Sequence, residues 1–202
     1  MQTVLFHSTI FGPIHSRRLG VSLGVNLTPD DGKICTFDCL YCEAGFNAQG
    51  TGTTGLPPRE TVARLLESRL SAMKAADQPL DVITFSGNGE PTVHPDFHNI
   101  IDDTLHIRDR YYPDAKVSVL SNSTRIDRRE VREALMKVDN NILKLDSAIT
   151  DTIRLIDRPT LSNFTADKVI GELEKFGKDC IIQTMFLRGE HDGNPIDNTT
   201  PR

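Results

Sequence analysis

Apolar residues along this chain fall into two rhythms, short runs of four to seven and longer segments with apolar positions three and four apart. Residues 21–27 alternate and stop at Thr28-Pro29-Asp30-Asp31-Gly32, which predicts a strand followed by a turn. Residues 58–74 carry Val62, Leu65, Leu66, Leu70 and Met73 at helical spacing, with Pro57-Pro58 suited to a first turn. By the same reasoning residues 80–86, 115–120, 142–145 and 180–187 predict strands. Residues 95–110, 128–138 and 166–176 predict helices, the last capped by Gly177. Residues 1–19 read as a lead-in strand or loop, punctuated by Gly12-Pro13.

Strand and helix alternate along the whole chain, so the expected fold is α/β, a parallel sheet flanked by helices in one domain over residues 1–202. An open doubly wound sheet and a barrel both satisfy that pattern. Thr199-Thr200-Pro201-Arg202 has the form of a cap and first turn, which predicts a further helix-strand unit and a chain truncated at its C-terminus.

In a parallel sheet both faces are covered, so a polar residue inside a strand needs a reason. Lys144 and Asp146 share one face of their strand, opposite Leu143 and Leu145, and are expected to point inward; a buried mutual ion pair is the structural alternative. Gln183 and Met185 share a face of the last strand, and Asn122 extends the face of Ser118 and Leu120. Sites of such folds lie at the C-terminal edge of the strands. Five segments reach that edge: the cysteine loop, residues 87–92, Ser121-Asn122, Asp146-Ser147 and residues 183–188. Cys180 starts its strand at the opposite end and reads as a small core residue.

The net charge of −5 gives no general basic field, and Arg125, Arg128, Arg129 and Arg132 form only a modest stripe. Residues 1–14 contain no apolar run long enough for a signal peptide or membrane span, which predicts a cytoplasmic chain with no membrane partner. Clustered cysteines there point to metal or redox chemistry rather than disulfides.

Three of the four cysteines fall in Cys35-Thr36-Phe37-Asp38-Cys39-Leu40-Tyr41-Cys42. Zinc would want four ligands, for which His15 is an unremarkable candidate, and a dithiol motif would use Cys39 and Cys42 alone. Three thiolates on an open loop suit a cubane iron-sulfur cluster with one iron lacking a protein ligand. The spacing Gly50-x-Gly52-x-x-Gly55 does not follow a strand and is not a dinucleotide fingerprint.

The CX3CX2C pattern with Tyr41 before its last cysteine, together with Gly87-Asn88-Gly89-Glu90-Pro91, resembles the radical S-adenosylmethionine (radical SAM) superfamily. Residues 12–20 and 86–92 are similar to an iron-sulfur oxidoreductase subgroup related to tRNA-wybutosine synthase and glycyl-radical-activating enzymes. The resemblance implies a partial, six-stranded (β/α) TIM-like barrel. It implies a [4Fe-4S] cluster on Cys35, Cys39 and Cys42, with S-adenosylmethionine on the fourth iron. It places Tyr41 near the adenine and residues 87–91 at the methionyl amine. Asn122, Asp146 and Ser147 would then lie near the carboxylate or ribose, with Lys144, Gln183 and Met185 toward cofactor or substrate. The implied chemistry is reductive cleavage to a 5′-deoxyadenosyl radical that takes hydrogen from a substrate, a protein, peptide or tRNA. The electron would come from a donor such as flavodoxin or ferredoxin. A non-catalytic zinc or iron-sulfur binding module is the alternative.

Overall fold

The short apolar runs become the centre of the molecule. The computed structural model describes residues 3–199. Its main sheet has six strands in the order β1 (Ile10–Ser16), β2 (Gly20–Val25), β3 (Val82–Phe85), β4 (Lys116–Ser121), β5 (Asn140–Lys144) and β6 (Ile181–Gln183). Strands β2 to β6 are parallel, with Val25 beside Phe85 and Phe85 beside Val119 at their C-terminal ends. All four residues of β3 are buried, as a strand covered on both faces requires.

The crossovers are helical. α1 (Arg59–Ala75) buries Val62, Leu66, Leu70 and Met73, and α2 (Phe97–Tyr111) buries Phe97, Ile100, Ile101 and Ile107. Each such side chain contributes about 1.5–3 kcal/mol by leaving water, so both helices are held mainly by packing. Pro58 stands at the N-cap of α1, and a two-pronged ion pair, Arg59 Nε and Nη2 to Asp103 at 2.7 and 2.8 Å, ties α1 to α2. α3 (Arg129–Leu135) precedes β5; α4 (Thr150–Ile156) and α5 (Ala166–Leu173) precede β6.

Several expectations change. The lead-in segment forms β1 and runs antiparallel to β2, so the sheet is not wholly parallel. α4 was not anticipated. The strand predicted over 180–187 ends at Gln183, because the next groups turn to other partners: Thr184 Oγ1 donates to the Leu145 carbonyl at 2.7 Å, and the Met185 N–H to Asp146 Oδ1 at 2.9 Å. The chain then makes a hairpin, β7 (Arg188–His191) and β8 (Asn194–Asp197). Cys180, expected in the core, is only half-buried, because β6 is the sheet's edge and its Ile181 and Ile182 are exposed. Of the predicted terminal cap, residues 200–202 lie outside the described residues.

The strand order is linear, so the sheet is an open, partial (β/α) TIM-like barrel rather than a closed one. At the C-terminal ends of its parallel strands lies a cavity whose wall takes residues from the ends of β3 to β6 and from the loop after β2. No helix among the described residues is long and apolar enough to cross a membrane.

Candidate functional site

The cavity, about 310 Å³, is walled by Cys35, Cys39 and Cys42 on one side and by the strand ends on the other. The cysteine loop reaches it through a short extension of the sheet. Ile34 pairs with Gly89, and the Glu90 N–H donates to the Ile34 carbonyl at 3.0 Å. A Cβ on Gly89 would lie 1.9 Å from that carbonyl oxygen, so only glycine permits the approach. Within the loop the Cys42 N–H donates to Cys39 O and the Gly45 N–H to Cys42 O, both at 3.1 Å. Lys33, buried, closes the base by donating to Gly45 O at 2.8 Å and pairing with Asp38 at 3.4 Å.

All three cysteines are free. Cys39 is buried, while Cys35 and Cys42 are partly open to the cavity. Burial, with the Glu90 charge second, pushes the Cys35 thiol up to about 11, and burial raises the Cys39 thiol too. Without a metal both therefore stay protonated at neutral pH, and loading the loop with a metal would release those protons. Among the described residues no three His, Cys, Asp or Glu side chains gather into a ready single-ion site. All three cysteines line the cavity, and a donor set of three thiolates suits an iron-sulfur cluster. The two other candidates are elsewhere. Cys180 does not line the cavity, and His15 is exposed on β1, paired with Val21 at the far end of β2.

Glu90 braces the rim. It is fully buried, and its carboxylate accepts four hydrogen bonds: Thr92 N–H at 3.1 Å, Thr92 Oγ1 at 2.5 Å, Ser121 Oγ at 2.8 Å and Asn122 N–H at 2.6 Å. Burial raises its pKa against those bonds, which lower it. Asn122, so held, donates from Nδ2 to Thr36 Oγ1 at 2.8 Å and reaches Cys35 Sγ at 3.5 Å.

Tyr41, Lys144, Asp146 and Asp157 form a second cluster. The Tyr41 hydroxyl donates to Asp146 Oδ2 in a short contact, lies 3.1 Å from Asp157 Oδ1, and accepts from Lys144 Nζ. Lys144 lies 3.5 Å from Asp146 and 4.5 Å from the Tyr41 ring centre. Burial, then the Asp146 charge, raises the Asp157 carboxyl; burial, then Asp157, raises the Tyr41 hydroxyl, which stays a neutral donor. The Lys144–Asp146 pair is thus present, but shared with two residues from the loops.

Of the residues singled out in the sequence, Tyr41, Gly87, Gly89, Glu90, Asn122, Lys144, Gln183 and Met185 line the cavity with the cysteines. Asn88, Pro91, Asp146 and Ser147 do not. Asn88 is completely buried and turned the other way: its Oδ1 accepts from the Phe6 N–H at 2.8 Å, and its Nδ2 donates to Phe6 O and Pro29 O at 2.9 and 2.8 Å. Pro91 begins a short 3-10 turn capped by Glu90. Asp146 is spent on Tyr41 and the Met185 N–H, and Ser147 Oγ accepts from the Ile149 N–H at 3.1 Å. Sequence reasoning missed Asp157, Arg158 and Thr160, which follow α4 and clasp the cysteine loop. The available signal was Ile149, Ile153 and Ile156, at helical spacing.

The chain is 32% identical over 169 residues to a protein named GTPase Obg from Brachyspira hyodysenteriae, covering 83% of this chain but 23% of that protein. It is 31% identical over 182 residues to UPF0026 protein MJ1312 from Methanocaldococcus jannaschii, covering 88% of this chain and 53% of that one. The chain thus spans about a quarter to a half of these relatives' lengths. Among solved structures, native anSMEcpe with bound AdoMet superposes with a TM-score of 0.54 at 20% identity, covering 79% of this chain and 42% of that chain; this likeness is one of fold. The model of the Radical SAM superfamily, whose members use a [4Fe-4S] cluster and S-adenosylmethionine, matches residues 31–197, from the turn before the cysteine loop to the end of β8, and the chain belongs to that superfamily.

Proposed function

We propose that this chain binds a [4Fe-4S] cluster through Cys35, Cys39 and Cys42 and presents its fourth iron to S-adenosylmethionine in the cavity. The observation that carries the reading is the grouping itself: three free thiols lining the cavity, no fourth Cys or His among the described residues of its wall, and the strand ends beside them. When bound, the pair would supply one-electron cleavage of the sulfonium and a 5′-deoxyadenosyl radical that abstracts hydrogen from substrate.

The chain's own residues position and enclose. Glu90 fixes the ends of β3 and β4 relative to each other through Ser121 and the Asn122 N–H. Asn122 holds Thr36 and sits beside Cys35. Gly87 lines the cavity, and a Cβ there would strike the buried Asn26 Oδ1 at 2.3 Å, so glycine lets the end of β3 pack on Asn26. Phe37, Leu120 and Met185 give the wall an apolar lining that keeps water from a reactive intermediate. Lys144, Gln183 and Met185 face the side where substrate would enter.

An external one-electron donor such as flavodoxin or ferredoxin completes the reading. Arg129 pairs with Glu133 and Arg132 with Glu172, so half the basic stripe is already paired, which weakens it as a contact for a nucleic-acid backbone; a protein, a peptide or a tRNA is the substrate class of the reading. The test is anaerobic reconstitution with iron and sulfide, followed by an assay for 5′-deoxyadenosine under dithionite. Visible charge-transfer absorption and S-adenosylmethionine cleavage, both lost in Cys35→Ala, are expected. Cleavage that survives Cys35→Ala would show the ligand set to be wrong.

A further inference from the structure

The cysteine loop is held from outside by the last residue of α4 and the four residues after it, of which only Asp157 belongs to the Tyr41 cluster. Asp38 donates its N–H to Asp157 O at 2.8 Å and Leu40 its N–H to Ile156 O at 2.9 Å. From the other direction the Thr160 N–H and Oγ1 both donate to Thr36 O, at 2.9 and 3.1 Å. These bonds lace a sequence-distant strap onto the stretch between Cys35 and Cys42.

Arg158 is the fastener. Its Nε donates to the Asp38 carbonyl at 2.7 Å and its Nη2 to Asp38 Oδ2 at 3.0 Å, while the guanidinium lies 4.5 Å from the Phe46 ring centre. The fork therefore grips both the backbone and the side chain of the residue immediately before Cys39. The same Asp38 carboxylate accepts from the Asn47 N–H at 2.7 Å and pairs with Lys33, so Arg158 is joined to both sides of the loop. Arg158 does this from a left-handed backbone, φ +46°, a conformation that costs any residue with a Cβ. Glycine would adopt it freely, so the side chain accounts for an arginine there.

We propose that Arg158 is a positioning residue whose grip on Asp38 keeps the cysteine loop closed and so governs how readily the loop opens to lose metal. The part of this that concerns the cluster rests on the functional reading above; the part that concerns the loop does not. Neither requires the chain to turn over a substrate.

Two variants test it. Arg158→Gly removes the fork while easing the backbone, and Arg158→Lys keeps the charge but loses the two-pronged geometry. In the metal-free chain, exchange of the Asp38 and Leu40 amides is measured against amides of β3. Loss of two charge-assisted bonds predicts about tenfold or more faster exchange at Asp38 and Leu40 in Arg158→Gly, a smaller rise in Arg158→Lys, and no change in β3. In the reconstituted chain, bleaching by an iron chelator is expected to accelerate in the same order. Loop amides within about twofold of the parent, or a uniform rise that includes β3, would overturn the proposal. If Arg158→Gly does not fold, the Arg158→Lys comparison carries the same decision. A parent chain that takes up no cluster would refute the functional reading and leave the exchange result to decide on the strap.

Discussion

Replacing Glu90 by alanine should weaken the fold, and by more at acid pH than at alkaline pH. Three of the four bonds to the carboxylate fall on Oε1 and one, from the Asn122 N–H, on Oε2. An alanine accepts none of them, and the Thr92 and Asn122 backbone N–H groups cannot turn to other partners as the two hydroxyls can. Two buried donors are then stranded, at about 1–3 kcal/mol each, so the bond ledger alone gives about 2–6 kcal/mol of destabilisation. Set against this is the charge. Burial is the largest influence on Glu90 and raises its pKa above the ordinary 4.5, so the ionised carboxylate opposes folding on balance. A raised acid pKa means that the stability Glu90 contributes is fully present below the unfolded value and is lost as pH rises through the folded one. Alanine does not titrate, so the variant lacks that decline and its deficit narrows toward alkaline pH. Urea unfolding of the metal-free chain, followed by circular dichroism at about pH 5 and about pH 8, reads both effects. A variant as stable as the parent at both values would refute the brace, and a deficit that grows with pH would refute the sign.

Asn88→Ala should cost about 2–4 kcal/mol by stranding buried partners at Phe6 and Pro29, read as a fall in urea midpoint with an unchanged slope; a neutral result would show that the segment around Phe6 is not anchored there. Tyr41→Phe removes the hydroxyl shared by Asp146, Asp157 and Lys144, and is expected to cost about 2–3 kcal/mol, with a thermal midpoint unchanged from the parent counting against the network. Asp103→Asn should lower stability slightly at neutral pH and not at all in acid. Asp103 is held below its ordinary 3.8 by the Arg59 hydrogen bond, so the parent's own contribution is present above that value and disappears as pH falls through the folded one. Equal losses at both pH values would place the effect outside the ion pair.

The strands and the helices with long apolar stripes were legible because burial on both faces forces apolar runs and amphipathic spacing, as in β3 and α1. So was the convergence of Cys35, Glu90, Asn122 and Lys144, because parallel strands deliver their ends to one rim. What depended on distant partners was not. Asn88 lies between two residues that face the cavity, and only the course of the segment around Phe6 turns it outward. β1 carries no clean alternation, since most of its residues are exposed on an edge and its register shifts between Phe11 and Ile14. The hairpin did leave a local sign: Asp192-Gly193 forms a two-residue turn with both residues at positive φ, between β7 and β8. The clasp of residues 156–160 on the cysteine loop joins segments more than 100 residues apart; the isoleucine spacing points to α4 but not to what the residues after it hold.

The most direct measurement is the electron paramagnetic resonance of the reduced, anaerobically reconstituted chain before and after adding S-adenosylmethionine. The account predicts about four irons per chain, a reduced-cluster signal that changes when S-adenosylmethionine binds, and loss of both in Cys39→Ala. A chain that instead binds one zinc ion, or a cluster whose signal ignores S-adenosylmethionine, would contradict it.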